Sequence, residues 1–398
     1  MAELPTTGII DADGHVLEPA DLWEQYLVGE ERDHGVHLRV NAEGLEYLEI
    51  DGAPLGLLSP GALGMLGAMG DDTAVMGPDR RYMEVMPPGA CDPKERLAWL
   101  GHNGLDAAVL YPTLGIIWEA AVPDAGLATA LARAYNRWLA DFCREAPGRL
   151  IGVAHLCLAD VDLAVAELER AVADGLRGAF MAPFTWTRVP QGDPYYDPLW
   201  AAAEALGVPV GIHPSFEPAW ADTIDRFPGM GRPGTYGVPG QFMRNMVARQ
   251  GVQQAFASFF SYGTLDRFPG LKLGVLESGA GWIGSFLDRL DTLMADTMLR
   301  SVSPLSAPPS ECFARQCWIS CDPDERAAPL IVDHVGARSF VWATDYPHPD
   351  HPATWRSSLG RFVGPLPATT AERVLGANAA ALYGLDHGAT RDLAPGRG

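Results

Sequence analysis

At 398 residues the chain exceeds the roughly 250 of a minimal β/α barrel and can bury a large core. Its 47% hydrophobic and 20% charged residues are ordinary globular composition. A net charge of −21, from 50 acidic against 29 basic residues, repels phosphate backbones and excludes nucleic acid as the expected partner.

No stretch reaches the roughly 18 uncharged apolar residues of a membrane span, so no membrane partner is expected. The opening Met1-Ala2-Glu3-Leu4-Pro5 lacks the basic and apolar regions of a signal peptide, and a cytoplasmic location is the expectation. Cysteines 91, 143, 157, 312, 317 and 321 form no C-x-x-C pair and are read as buried, reduced thiols.

Eight apolar runs follow one another along the chain: Ile9–Asp13, Leu105–Pro112, Leu150–Leu156, Gly178–Pro183, Val208–His213, Leu271–Glu277, Trp318–Asp322 and Phe340–Asp345. Apolar with little alternation, they predict buried parallel strands. Helical spacing fills the intervals. After the second run, Leu127, Leu131, Tyr135, Trp138 and Phe142 share one helical face. After the third, Asp160 is a candidate N-cap and Gly175 a stop. Strands alternating with helices predict an α/β fold, and eight of them suggest a closed (β/α)8 TIM barrel over residues 1–385.

Two connections are too long for a minimal barrel: about 16–103, after the first strand, and about 214–240, after the fifth. Both follow strands, which puts them at the catalytic mouth as cap insertions. Residues 386–398 are read as a tail.

Three runs end in ligand-type residues: Asp11-Ala-Asp13-Gly-His15, Gly211-Ile-His213-Pro-Ser215 and Ala343-Thr-Asp345-Tyr-Pro-His348. Asp13 and His15 are two apart, so an extended backbone points both to one side. A closed barrel would bring His213 and Asp345 to them. Two imidazoles and two carboxylates suit Zn, Mn or Fe, with a position left for water or substrate.

Asp11-Ala-Asp-Gly-His-Val-Leu-Glu-Pro19 resembles the opening of amidohydrolase-related proteins, the branch that includes aminocarboxymuconate semialdehyde decarboxylase and γ-resorcylate decarboxylase. Matching segments are Gly211-Ile-His-Pro214, Arg267-Phe-Pro-Gly-Leu-Lys-Leu273, Leu276-Glu-Ser-Gly-Ala-Gly-Trp-Ile283 and Trp342-Ala-Thr-Asp-Tyr-Pro-His-Pro-Asp350. The resemblance implies a metal at the strand C-termini. By position, Asp13 and His15 match the opening ligands, His213 the fifth-strand His and Asp345 the eighth-strand acid. It also suggests a homodimer. The fourth run lacks the Lys that bridges two metals in other enzymes on this barrel, so one divalent ion is expected.

Glu277 stands where the familiar decarboxylases resemble one another in carrying a proton-handling His. It is a candidate ligand or general base, or a buried carboxylate orienting His213. His348 is a candidate for substrate binding or proton transfer, or a hydrogen bond fixing its loop. His351, in a Pro-rich turn, is expected to face solvent, and His155 reads equally as a pocket residue or a satisfied core histidine. Aromatic residues around the mouth (Trp23, Tyr26, Tyr111, Trp118, Phe184, Trp186, Phe216, Trp220, Phe259, Phe260 and Tyr262) predict a largely apolar cavity for a small-molecule substrate. Arg188, Arg244 and Arg249 are candidate anion clamps.

The sequence reading favours a metal-dependent hydrolase in which activated water attacks a carbonyl carbon of a thioester, ester, amide or C–C bond, with Glu277 or Asp345 taking the proton. The alternative is non-oxidative decarboxylation of an aromatic or unsaturated acid. A barrel retired to mere binding is disfavoured, because all four ligand positions carry competent side chains.

Overall fold

The computed structural model describes residues 4–5, 7–221 and 249–385. The chain opens with strand β1 (Ile10–His15) and then makes a small antiparallel sheet from β2 (Val36–Val40), β3 (Glu46–Ile50) and β4 (Ala53–Pro54). The remaining strands are β5 (Ala107–Tyr111), β6 (Leu150–His155), β7 (Gly178–Met181), β8 (Pro209–Ile212), β9 (Lys272–Val275), β10 (Cys317–Cys321) and β11 (Phe340–Trp342). These seven and β1 pair in parallel in the order β1-β5-β6-β7-β8-β9-β10-β11. Just past β11, Asp345 N donates to Asp13 O at 2.9 Å and His15 N donates to Tyr346 O at 2.7 Å, which closes the sheet on itself. All eight predicted runs are strands of this barrel.

A helix precedes each of β5 to β11. The helix Ala125–Cys143 buries Leu131, Tyr135, Trp138 and Phe142 as its spacing requires, and Asp124 caps it by accepting from Leu127 N. Asp160 accepts from Leu163 N to start Val161–Ala173, and Gly175 leaves that helix at φ +107°, a conformation costly for residues with a Cβ. In the connection after β1, helix Leu22–Tyr26 and strands β2–β4 come first. Helix Pro93–His102 then stands where the first barrel helix belongs, its Asp92 cap followed by Pro at the first helical position. Residues 222–248, most of the connection read as a second insertion, and the tail 386–398 lie outside the described residues. Among the described residues no helix is long and apolar enough to cross a membrane.

Two apolar layers result. One lies between strands and helices. The other fills the barrel, with Ala107, Val109, Ile151, Val153, Phe180, Leu276, Trp318 and Val341 among its members. The helix Asn378–Tyr383 plugs the end opposite the strand C-termini, and Tyr383 reaches up the interior so that its Oη meets that of Tyr111, the last residue of β5, at 3.1 Å. Inside, the Trp318 indole needs the bare Cα of Gly274, where a Cβ would come within 2.0 Å of its ring. Gly274→Ala should therefore destabilise the barrel by about 1–3 kcal/mol, the usual cost of overpacking. An unchanged Tm in calorimetry would show that the indole has another place to go.

A buried cluster of imidazoles and carboxylates

At the C-terminal end of the barrel, Asp13 and His15 leave β1, His213 follows β8, Glu277 follows β9 and Asp345 follows β11. A register shift between Asp11 and Gly14 in β1 interrupts simple alternation. It lets Asp11 turn aside, where its carboxylate accepts from Thr344 N at 2.9 Å and Thr344 Oγ1 at 2.5 Å. Burial pushes the Asp11 carboxyl up to about 6, against the pull of those hydrogen bonds. Asp13, His15 and His213 are fully buried.

The tautomers are set by backbone carbonyls. His15 Nδ1 lies 2.7 Å from Pro112 O and His213 Nδ1 lies 2.6 Å from Pro214 O, so each Nδ1 carries the hydrogen. With Nδ1 so engaged, each ring turns its Nε2 inward. His15 Nε2 sits 3.4 Å from Asp13 Oδ1 and 3.1 Å from Asp345 Oδ1. His213 Nε2 sits 3.6 Å from Asp13 Oδ1 and 3.3 Å from Glu277 Oε2. Both Nε2 atoms, both Asp13 oxygens and Asp345 Oδ2 are buried without a hydrogen-bond partner. Imidazole nitrogens and carboxylate oxygens buried and converging without hydrogen-bond partners are what a cation satisfies. The donor set fits one divalent metal, which Asp13, His15, His213 and Asp345 could hold.

Burial opposes the ionisation of Asp345, but His348, His351 and His15 outweigh it and hold its carboxyl well below the usual range. Burial and the neighbouring Asp345 and Asp350 carboxylates drive Glu277 the other way, well above it. Glu277 and Asp345 share a further mark: at φ 38° and 55° both occupy the left-handed region that non-glycine residues seldom adopt.

His348 meets Asp345 Oδ1 through Nδ1 at 2.9 Å and Thr113 Oγ1 through Nε2 at 3.0 Å. Thr113 spends its hydroxyl hydrogen on Val16 O at 2.7 Å, so His348 Nε2 must donate to it. His351 corrects the sequence reading. Its side chain is 10% exposed, and Nδ1 lies 2.6 Å from Asp345 Oδ2, so it faces the cluster rather than solvent. Prolines 347, 349 and 352 suggest a surface turn, yet the run from Asp345 to His351 is dense in ligand-type residues, and that was the available signal.

Sequence reasoning also passed over residues that hold the site in place. The buried Glu18 carboxylate accepts from the backbone N–H of Thr113, Leu114 and Gly115, tying the segment after β1 to the segment after β5. Buried Arg96 donates to Gly89 O at 2.8 Å and to His15 O, and its guanidinium lies over the Trp99 and Tyr346 rings. His155 is a buried core histidine whose Nε2 meets Glu119 Oε2 at 2.7 Å, its ring stacked on Phe180.

The predicted aromatic residues divide. Phe184, Trp186 and Trp220 meet edge to face beside a cavity of about 810 Å³ that follows β7 and β8, where the Arg188 guanidinium lies 4.7 Å from the Trp220 ring centroid. Trp23 and Phe259 pack in the core, and Tyr26 donates to Asp141. Arg249 pairs with Asp322 at 3.5 Å, while Arg244 lies outside the described residues.

A family model described as Amidohydrolase matches residues 10–385. The γ-resorcylate decarboxylase of Rhodococcus jostii (strain RHA1) is 28% identical over 273 residues, 65% of this chain and 79% of that protein. An amidohydrolase from Mycobacterium avium subsp. paratuberculosis K-10 superposes with a TM-score of 0.77 at 21% identity, covering 96% of this chain and 100% of its own. A dihydroxybenzoic acid decarboxylase from Polaromonas sp. JS666, solved with manganese and the inhibitor 2-nitroresorcinol, gives a TM-score of 0.63 at 17% identity, covering 95% and 97%.

Chelation of the purified protein should lower its Tm and re-addition of Mn should restore it, since a ligand at 100 times its Kd adds about 2.7 kcal/mol. His213→Ala should neither retain metal in elemental analysis nor respond to Mn. The same Tm with chelator and with Mn would remove the metal from this site.

Proposed function

We propose that this chain, which belongs to the amidohydrolase family by the match over residues 10–385, is a metal-dependent decarboxylase of an aromatic or unsaturated carboxylic acid. One observation carries the choice: relatives named as decarboxylases align with most of their own length. Asp13, His15, His213 and Asp345 would hold the metal. When bound, it supplies a Lewis acid that polarises substrate oxygens.

The protein must also manage a proton. Breaking the bond to the carboxylate releases carbon dioxide and leaves an electron pair on carbon, which must take up one hydrogen. Glu277, its Oε2 3.3 Å from His213 Nε2, is placed to deliver that proton and to regain one from solvent. His348, clamped between Thr113 and Asp345, orients Asp345. The cavity beside Phe184, Trp220 and Arg188 suits a partly apolar acid.

Hydrolysis at a carbonyl carbon is the second reading, and Glu277 itself favours it, since a carboxylate stands where the resemblance to decarboxylases calls for His. The base would then accept a proton from water that adds to the carbonyl.

Metal-loaded protein incubated with hydroxybenzoates and with esters and thioesters separates the two. Carbon dioxide equal to the acid consumed supports decarboxylation. An acid product with no carbon dioxide supports hydrolysis instead. In either case Glu277→Gln should keep the metal and lose about 10²–10⁴-fold in kcat, the usual contribution of a positioned acid or base. Near-normal turnover would make Glu277 a structural carboxylate.

A further inference from the structure

We propose that Glu325 is the positioning residue that sets Glu277, the proton carrier of the reading above, on which this inference rests. Glu325 follows β10, and Glu277 follows β9. The Glu325 carboxylate accepts from Ala280 N at 2.7 Å and 3.0 Å, from Gly281 N at 2.9 Å and from Asp322 N at 3.0 Å. Each of these donors is a backbone N–H, and two of the three lie in the turn that begins at Glu277. One half-buried side chain thus ties the segment after β9 to the segment after β10.

That turn needs an outside hold. Glu277 at φ 38° lies in the left-handed region, which disfavours a residue with a Cβ, and Gly279 repeats it at φ 65°. Relaxation of Glu277 toward ordinary φ would swing its carboxyl away from His213 Nε2, now 3.3 Å off. Two anchors on the β10 side oppose this. Ser320 Oγ, on β10, accepts from Glu277 N at 3.0 Å, and Glu325 takes the amides three and four residues on. Ala280 and Gly281 stand ahead of the helix Ile283–Asp296, so their N–H groups have no helical acceptor and the Glu325 carboxylate supplies one. Gly279 permits the approach, since a Cβ there would stand 3.3 Å from Glu325 Oε2 and 2.9 Å from Arg249 Nη1.

Hydrogen exchange followed by mass spectrometry on the purified protein tests the hold without a substrate. Glu325→Ala should speed exchange across 277–281 about tenfold or more, and leave the amides of Thr113, Leu114 and Gly115, which Glu18 holds, as they are. Glu325→Gln keeps one acceptor oxygen and should recover part of the protection; it takes over the comparison if the alanine variant does not fold. Turnover tests the consequence. In metal-loaded protein Glu325→Ala should lower kcat about 10–10²-fold, the scale of a small misplacement, with KM and metal content unchanged. Combined with Glu277→Gln it should add no further loss, because a residue that acts only through Glu277 has nothing left to position. Unaltered exchange across 277–281, or losses that multiply in the double variant, would overturn the positioning role. Normal turnover of Glu277→Gln alone would instead overturn the proton-carrying reading, while the exchange result would still decide whether Glu325 holds the turn.

Discussion

Two backbone hydrogen bonds, Asp345 N to Asp13 O and His15 N to Tyr346 O, close the barrel and assemble its site in one act. Three of the four proposed ligands are in or beside those bonds. The first and last strands cannot separate without pulling Asp13 and His15 from Asp345. Fold and chemistry thus share one seam, and the unpartnered polar atoms gathered there are what metal binding satisfies.

Much of this was legible in the sequence because the signals were local. The strand ends at Asp13, His213 and Asp345 could be found from apolar runs, because a parallel strand buried on both faces leaves little else in its composition. Helices such as Ala125–Cys143 followed from spacing and a capping Asp. What stayed hidden depended on tertiary contact. His351 sits in a proline-rich turn that the fold bends back onto Asp345, a reversal no periodicity encodes. Glu18 and Arg96 act through backbone groups of other segments, and a residue that binds backbone leaves no pattern at its partner's position. The long connection after β1 was bounded too broadly because Pro93–His102 carries a weakly amphipathic sequence, although Asp92-Pro93 marked its start.

The choice between decarboxylation and hydrolysis comes down to a single position. A histidine after β9 can carry a proton as a cation, whereas Glu277 carries one only as a neutral acid. Its burial beside Asp345 and Asp350 favours that neutral form. The substitution therefore alters the charge of the site without removing its capacity to move a proton, and the chemistry of the relatives can survive the change.

The three amides gathered by Glu18 fasten the β1 and β5 side of the mouth, and Arg96 stiffens the same side from below. The cavity on the other side, which Phe184, Arg188 and Trp220 line, has none of the proposed metal ligands in its wall. Inheritance can treat these halves differently. Substitutions around Trp220 can retune which acid is accepted while the reactive centre is conserved, so one barrel can diversify its diet without reinventing its chemistry.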